Sequence, residues 1–168
     1  MEFEKVIKER HSTRKFSSKE LEQERINKIL EVGRLAPSAK NLQPIKIYVV
    51  KSSEGLGIID KASPCRYGAP IVLIVCGNKK EAFSKDGDST YSMDASIVAT
   101  HMMLEATNIG VDSVWVKLFS EEILRYEFQI PENIIPICLL PIGYKDIDCP
   151  ESSNHNTRKS IEEIVEYR

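Results

Sequence analysis

A chain of 168 residues with 42% hydrophobic and 29% charged side chains has an ordinary globular composition, long enough to bury a substantial core. Lys plus Arg number 23 against 25 Asp plus Glu, and the net charge of −2 gives no footprint for nucleic acid or an anionic membrane surface. Four cysteines form no C-x-x-C pair and keep no metal-ligand spacing with His11, His101 or His155, which argues against a metal site. The start, Met1-Glu2-Phe3-Glu4-Lys5, is charged where a signal peptide is apolar, and no apolar run reaches transmembrane length. The expectation is one cytoplasmic domain over 1–168 with no membrane partner.

In chain order, Phe3, Val6 and Ile7 fall on one face of a short helix over 3–9. A compact basic, hydroxyl-bearing stretch follows, from Arg10 to Phe16. Ser17 and Glu20 keep capping-box spacing, which predicts a helix starting there. That helix carries Leu21, Ile26, Ile29, Leu30 and Leu35 at helical spacing and stops at Pro37. Between Pro37 and Pro44 lies a short, stiff loop rich in hydrogen-bonding side chains. It suits a flat polar ligand, and it equally suits a plain helix-to-strand connection.

Residues 45–50 alternate as a strand, and Gly55-Leu56-Gly57 reads as loop without the third glycine of a dinucleotide fingerprint. The continuous apolar run over 71–76 predicts a strand buried on both faces. A polar, mobile segment is expected over 78–89. From Ser92 to Asn108 the apolar arc is wide enough for a central helix, ended at Gly110. Its His101 reads as a core or interface histidine rather than a ligand. Ser113–Val116 is a strand, Ser120 caps a short helix to Tyr126, and 134–144 is a last core strand with irregular ends at Pro136 and Pro141. A polar linker over 148–156 leads to a terminal helical turn bearing Ile161, Ile164 and Val165.

Two basic clusters stand out. Arg10, Arg14 and Lys15 flank Ser12 and Thr13, and Arg158-Lys159 recurs near the other end. Bidentate arginines with hydroxyl donors hold a phosphate monoester well, whereas cations near a helix C-terminus are also favoured by the macrodipole alone. No nucleophile elbow, phosphate-cradling Gly-rich loop or H-E-x-x-H is present. The residues alone point to a mixed α and β domain with a candidate anion site.

Taken together, four segments resemble the FMN-dependent nitroreductase family. Arg10-His11-Ser12-Thr13-Arg14 is similar to its Arg-x-Ser-x-Arg/Lys element, and Pro37-Ser38-Ala39-Lys40-Asn41-Leu42-Gln43-Pro44 to its Pro-Ser-x-x-Asn-x-Gln-Pro loop. The buried helix leading through Asn108-Ile109-Gly110 to Trp115 and Phe119 is the third, and Ile142-Gly143-Tyr144 with the late Arg158 is the fourth. The resemblance covers essentially the whole chain as a compact member. It implies an α+β three-layer sandwich, a mostly antiparallel central sheet flanked by helices, in an interlocked homodimer with FMN at the interface.

By the same resemblance, Arg10, Ser12 and Arg14 would hold phosphate and ribityl or ring oxygens, with Arg158 adding a second phosphate charge and His11 contributing mainly its backbone. Pro37, Ser38, Ala39 and Asn41 would cover the flavin from the other subunit, with Gln43 in the same site. Trp115, Val116, Lys117 and Leu118 would line the ring, their backbone N–H groups near Val116 to Leu118 facing its N5 and O4 edge. The implied chemistry is hydride transfer from NADH or NADPH to FMN and then to a nitroaromatic, quinone or similar acceptor, with no protein acid or base. Lys117 and Leu118 depart from the small residue many relatives carry there. Lys117 either favours reduced flavin or points to solvent, and Lys61 and Arg66 are further candidate contacts. A flavin carrier or sensor without turnover, or a variant performing other FMN redox chemistry, is the alternative.

Overall fold

The computed structural model describes residues 1–150 and 152–168, so Glu151, within the expected polar linker, lies outside the described residues. The elements run α1 (Phe3–Glu9), α2 (Gln23–Leu35), β1 (Ile45–Val50), α3 (Ser53–Ala62), β2 (Ile71–Asn78), β3 (Ser84–Lys85), β4 (Asp88–Ser89), α4 (Tyr91–Asn108), β5 (Asp112–Ser113), α5 (Glu121–Glu127) and β6 (Ile134–Gly143). The main sheet has the order β1-β2-β6-β5, with every pair antiparallel.

Alternation along β2 builds the layers. Successive side chains of a strand point to opposite faces, so a wholly apolar strand needs cover on both. Ile71, Leu73 and Val75 join a core with Ile26 and Ile29 of α2 and Ala95, Val98, Ala99, Met102 and Ala106 of α4. Val72, Ile74 and Cys76 join a second core with Ile59 and Ala62 of α3 and Leu124 of α5. The result is the expected α+β three-layer sandwich. A register shift between Val75 and Cys76 admits an extra residue of β6 beside Pro136, where proline's missing N–H costs no regular ladder bond.

Two glycines make the central helix possible. A Cβ on Gly77 would lie 2.4 Å from the Tyr91 carbonyl oxygen, so only glycine lets α4 begin against β2. Gly110 ends α4 with φ +72°, a left-handed conformation that other residues adopt at a cost.

Several expectations need correction. The helix expected from Ser17 begins at Gln23, and Glu22 at its cap makes no side-chain cap bond. The Ser17 N–H instead donates to the Tyr144 carbonyl, and Phe16 bridges Lys145, so the stretch after the basic cluster runs extended beside the end of β6. Tertiary pairing outweighs a local cap there. Gly55-Leu56-Gly57 lies inside α3, whose Ser52 cap accepts the Gly55 N–H. The polar segment at 78–89 includes a short hairpin, β3–β4, that the sequence does not announce. The strand expected over Ser113–Val116 is regular only at Asp112–Ser113, with a separate bridge between Val116 and Leu139.

Candidate functional site

The N-terminal basic stretch is fixed by short strand-like contacts. Ser12 bridges Ser113 in parallel, and the Thr13 N–H donates to the Ser113 carbonyl at 3.1 Å. Thr13 is fully buried, and its hydroxyl donates to Asp112 Oδ1 at 3.3 Å. Asp112 Oδ2 accepts the Lys145 N–H at 2.8 Å, so one carboxylate ties three segments together. His11 Nδ1 donates to the Glu9 carbonyl, and its Nε2 lies 3.1 Å from Thr13 Oγ1 and 3.4 Å from Asp112 Oδ1. With both ring nitrogens engaged by protein atoms, His11 is held as a framework residue.

This framework places Arg10, His11, Ser12 and Arg14 on one wall of a cleft of about 370 Å³. The opposite wall comes from the far end of the chain: Asn154, His155, Asn156 and Arg158. His155 Nε2 donates to the Lys8 carbonyl at 3.2 Å, and its ring stands edge-on to His11 with centroids 6.2 Å apart. These contacts pin the C-terminal wall to the end of α1. Burial, and second to it the neighbouring Arg158 charge, lowers Arg10 from the usual guanidinium value. Among the described residues no carboxylate pairs with Arg10, Arg14 or Arg158. Glu9 also borders the cleft, with its carboxylate 3.6 Å from Lys5 Nζ, so three guanidinium groups face the cleft against one carboxylate that is shared with a lysine. That excess of positive charge is one that a phosphate would relieve.

The proline-bounded loop lies elsewhere. Ala39–Asn41 form one 3-10 turn, and Lys40, Asn41 and Gln43 all have positive φ, between 51° and 55°. For non-glycine residues this costs on the order of 1 kcal/mol each, so surrounding bonds must hold the shape. Ser38 Oγ accepts the Gln43 N–H at 2.9 Å, and Gln43 Nε2 donates to the Asn41 carbonyl at 3.2 Å. The buried Asp94 accepts the Ala39 N–H on Oδ1 at 2.9 Å. Pro37 and Asn41 stay exposed. Ser38 and Gln43 line a recess of about 240 Å³ that shares no residue with the arginine cleft. Within one chain the two halves of the expected site therefore do not meet.

The Trp115–Leu118 stretch leaves β5 with Trp115 packed against the α2–α4 core. The Val116 N–H donates to the Leu139 carbonyl at 2.9 Å, so it has no capacity left for a flavin edge. Of the three N–H groups expected there, those of Lys117 and Leu118 remain. Leu118 is 66% exposed and its carbonyl accepts the Ser63 hydroxyl at 2.7 Å. Lys117 lies over the Phe119 ring, 5.0 Å from its centroid. Arg66 donates to both oxygens of Asp60 at 2.7 Å and to the Ala69 carbonyl, which occupies its guanidinium.

The sequence profile of the nitroreductase family matches this chain over residues 7–65 and 60–144. The chain belongs to the nitroreductase family. A solved structure of a nitroreductase family protein from Clostridium difficile is 38% identical, with a TM-score of 0.93 over 99% of this chain and 98% of that one. A second solved structure from Clostridium difficile, described as an FMN-dependent nitroreductase, is 26% identical with a TM-score of 0.80 over 96% of each chain. A protein of Methanothermobacter thermautotrophicus, provisionally named an NADH dehydrogenase/NAD(P)H nitroreductase, is 32% identical over 86% of this chain and 78% of its own length.

In this nitroreductase-family chain, sequence reading gave no role to Asp94, Asp112 or His155, and took Thr13 as a hydroxyl beside the arginines where it is a buried tie to Asp112. Asp112 and Thr13 carry no local signal, because their partners are distant in sequence. Asp94 is the one acidic residue in the first turn of α4, beside its apolar arc, and that placement is its only local signal. Among the described residues no helix is long and apolar enough to cross a membrane, and no group of ligating side chains could hold a metal ion.

Proposed function

We propose that residues 1–168 form one FMN-binding unit of an oxidoreductase that takes reducing equivalents from NADH or NADPH and passes them to a nitroaromatic, quinone or similar small acceptor. The observation that carries this reading is the Arg10–Arg158 pair. Two guanidinium groups from opposite ends of the chain share one cleft, and among the described residues neither is ion-paired to a carboxylate, the Glu9 side chain at its border lying beside Lys5. Their donor forks suit a phosphate monoester, and the Ser12 hydroxyl adds a neutral donor beside them.

Arg10, Ser12, Arg14 and Arg158 would hold the phosphate end. The Lys117 and Leu118 N–H groups, which have no acceptor among the described residues, would stabilise negative charge at the ring edge. Bound FMN supplies the hydride chemistry, and the chain supplies position and electrostatics. The Pro37–Gln43 loop shares no cleft with Arg10, so it would cover the ring from a second subunit of a homodimer. The exposed apolar residues Phe3, Ile7, Met93 and Ile97 on α1 and α4 favour such a partner. The names of its relatives support the flavin and nicotinamide assignments, and a cytoplasmic setting goes with them.

The purified protein should be yellow, bleach when NADH or NADPH is added without oxygen, and regain colour with a nitroaromatic or quinone. A colourless protein that takes up no FMN would end this reading. The exposed bulk of Leu118 beside the proposed ring site favours a second one: a flavin carrier, which would bind FMN that the nicotinamides never bleach.

A further inference from the structure

Asp94 is a carboxylate only 2% exposed, in the first turn of α4, and no part of the cofactor reading uses it. Its two oxygens serve two different segments. Oδ1 accepts the Ala39 N–H at 2.9 Å, and Oδ2 accepts the Thr90 hydroxyl at 2.8 Å. Thr90 closes the β3–β4 hairpin, donating its backbone N–H to the Phe83 carbonyl at 2.9 Å. The hairpin also reaches the loop directly, because Lys40 Nζ lies 4.1 Å from the centroid of the Phe83 ring.

A buried charge is costly unless its lone pairs are matched, so a carboxylate here must serve a purpose that an apolar residue would not. What it binds is informative. Ala39 begins the turn in which Lys40, Asn41 and Gln43 are left-handed, and strained backbone persists only where its surroundings over-determine it. The remaining supports within the loop are exposed and weak.

We propose that Asp94 is a positioning residue: its buried carboxylate clamps the Pro37–Gln43 loop to the β3–β4 hairpin in the shape that grips the flavin. The proposal rests on the FMN reading above. It makes the hairpin part of the site's rim, so that what contacts Phe83 also bears on the loop. Asp94 touches no flavin; it acts through Ala39.

The test compares Asp94→Ala, Asp94→Asn, Thr90→Val and Leu124→Ala by FMN titration, thermal melting and limited trypsin cleavage after Lys40. Asp94→Ala should raise the FMN Kd about tenfold or more. Asp94→Asn keeps a carbonyl oxygen for the Ala39 N–H and should stay within about threefold of the wild type. Thr90→Val removes the hydroxyl that donates to Asp94 at 2.8 Å and lies 3.3 Å from the Phe83 carbonyl, keeps the Ala39 bond, and guards against a misfolded alanine variant; it should raise the Kd by about threefold. Leu124 is buried in the core on the opposite side of the sheet, so Leu124→Ala should lower Tm and leave the Kd unchanged. Wild-type affinity in Asp94→Ala, or flavin loss in Leu124→Ala matching it at equal Tm, would overturn the proposal. The trypsin arm needs no flavin. Faster cleavage after Lys40 in both Asp94→Ala and Thr90→Val supports the clamp, and unchanged cleavage overturns it. A wild-type chain that binds no FMN would instead remove the flavin reading, and with it the ligand this clamp is proposed to serve.

Discussion

Arg10 and Arg158 lie at opposite ends of the chain and meet in one cleft, where among the described residues neither is ion-paired to a carboxylate. If they hold a phosphate, Arg10→Ala and Arg158→Ala should each weaken FMN binding by roughly 1.5–3 kcal/mol, as charge-assisted hydrogen bonds do. Isothermal titration with FMN, and with riboflavin as the ligand lacking phosphate, reads this directly. Both substitutions should matter much less for riboflavin, and an equal loss for the two ligands would place the arginines away from the phosphate. Because the two cations repel one another, removing either should not reduce folding stability by a comparable amount.

Helix caps and strand thiols give predictions at the scale of elements. Ser120 accepts the Ile123 N–H at the start of α5, so Ser120→Ala should cost about 1 kcal/mol of stability. Ser17 keeps the same kind of local spacing but caps nothing, and its alanine variant should melt within about 0.5 kcal/mol of the wild type. In β2 and β6, burial pushes the Cys76 and Cys138 thiols up to about 12. The folded state then holds protons that the unfolded chain releases above its ordinary thiol value near 9. Stability contributed by these groups is full below that value and falls as pH rises towards 12, by about 1.4 kcal/mol per pH unit for each thiol. Chemical denaturation between pH 8 and pH 11 should therefore show a shallower alkaline decline in the Cys76→Ala/Cys138→Ala variant. Parallel curves would mean that the thiols do not contribute.

The whole molecule leaves Phe3 71%, Met93 52% and Ile97 37% exposed on α1 and α4. If the arginine cleft and the proline-bounded loop, which share no recess in one chain, both serve the proposed flavin site, this predicts a dimer in solution. Ile97→Glu should shift sedimentation to the monomer and lower FMN affinity by at least about tenfold, since a monomer would lack the covering loop. A monomeric wild type that binds FMN tightly would refute the shared site.

The sequence by itself determined what is local and periodic. The apolar run at 71–76 predicts a strand buried on two faces, the wide arc of α4 predicts a helix packed in the core, and Pro37 and Gly110 stop helices by backbone geometry alone. The arginine and proline-loop motifs were also legible, because their residue types and order carry the family resemblance. Tertiary structure decided the rest. It extended Ser17 along β6 instead of capping a helix, gave the Val116 N–H to Leu139, and bound Arg66 to Asp60. It also brought Arg158 to Arg10, and Ala39 to Asp94. A hydrogen-bond partner far away along the chain leaves no periodic trace, so such pairings emerge only once the sheet and helices fix which segments become neighbours.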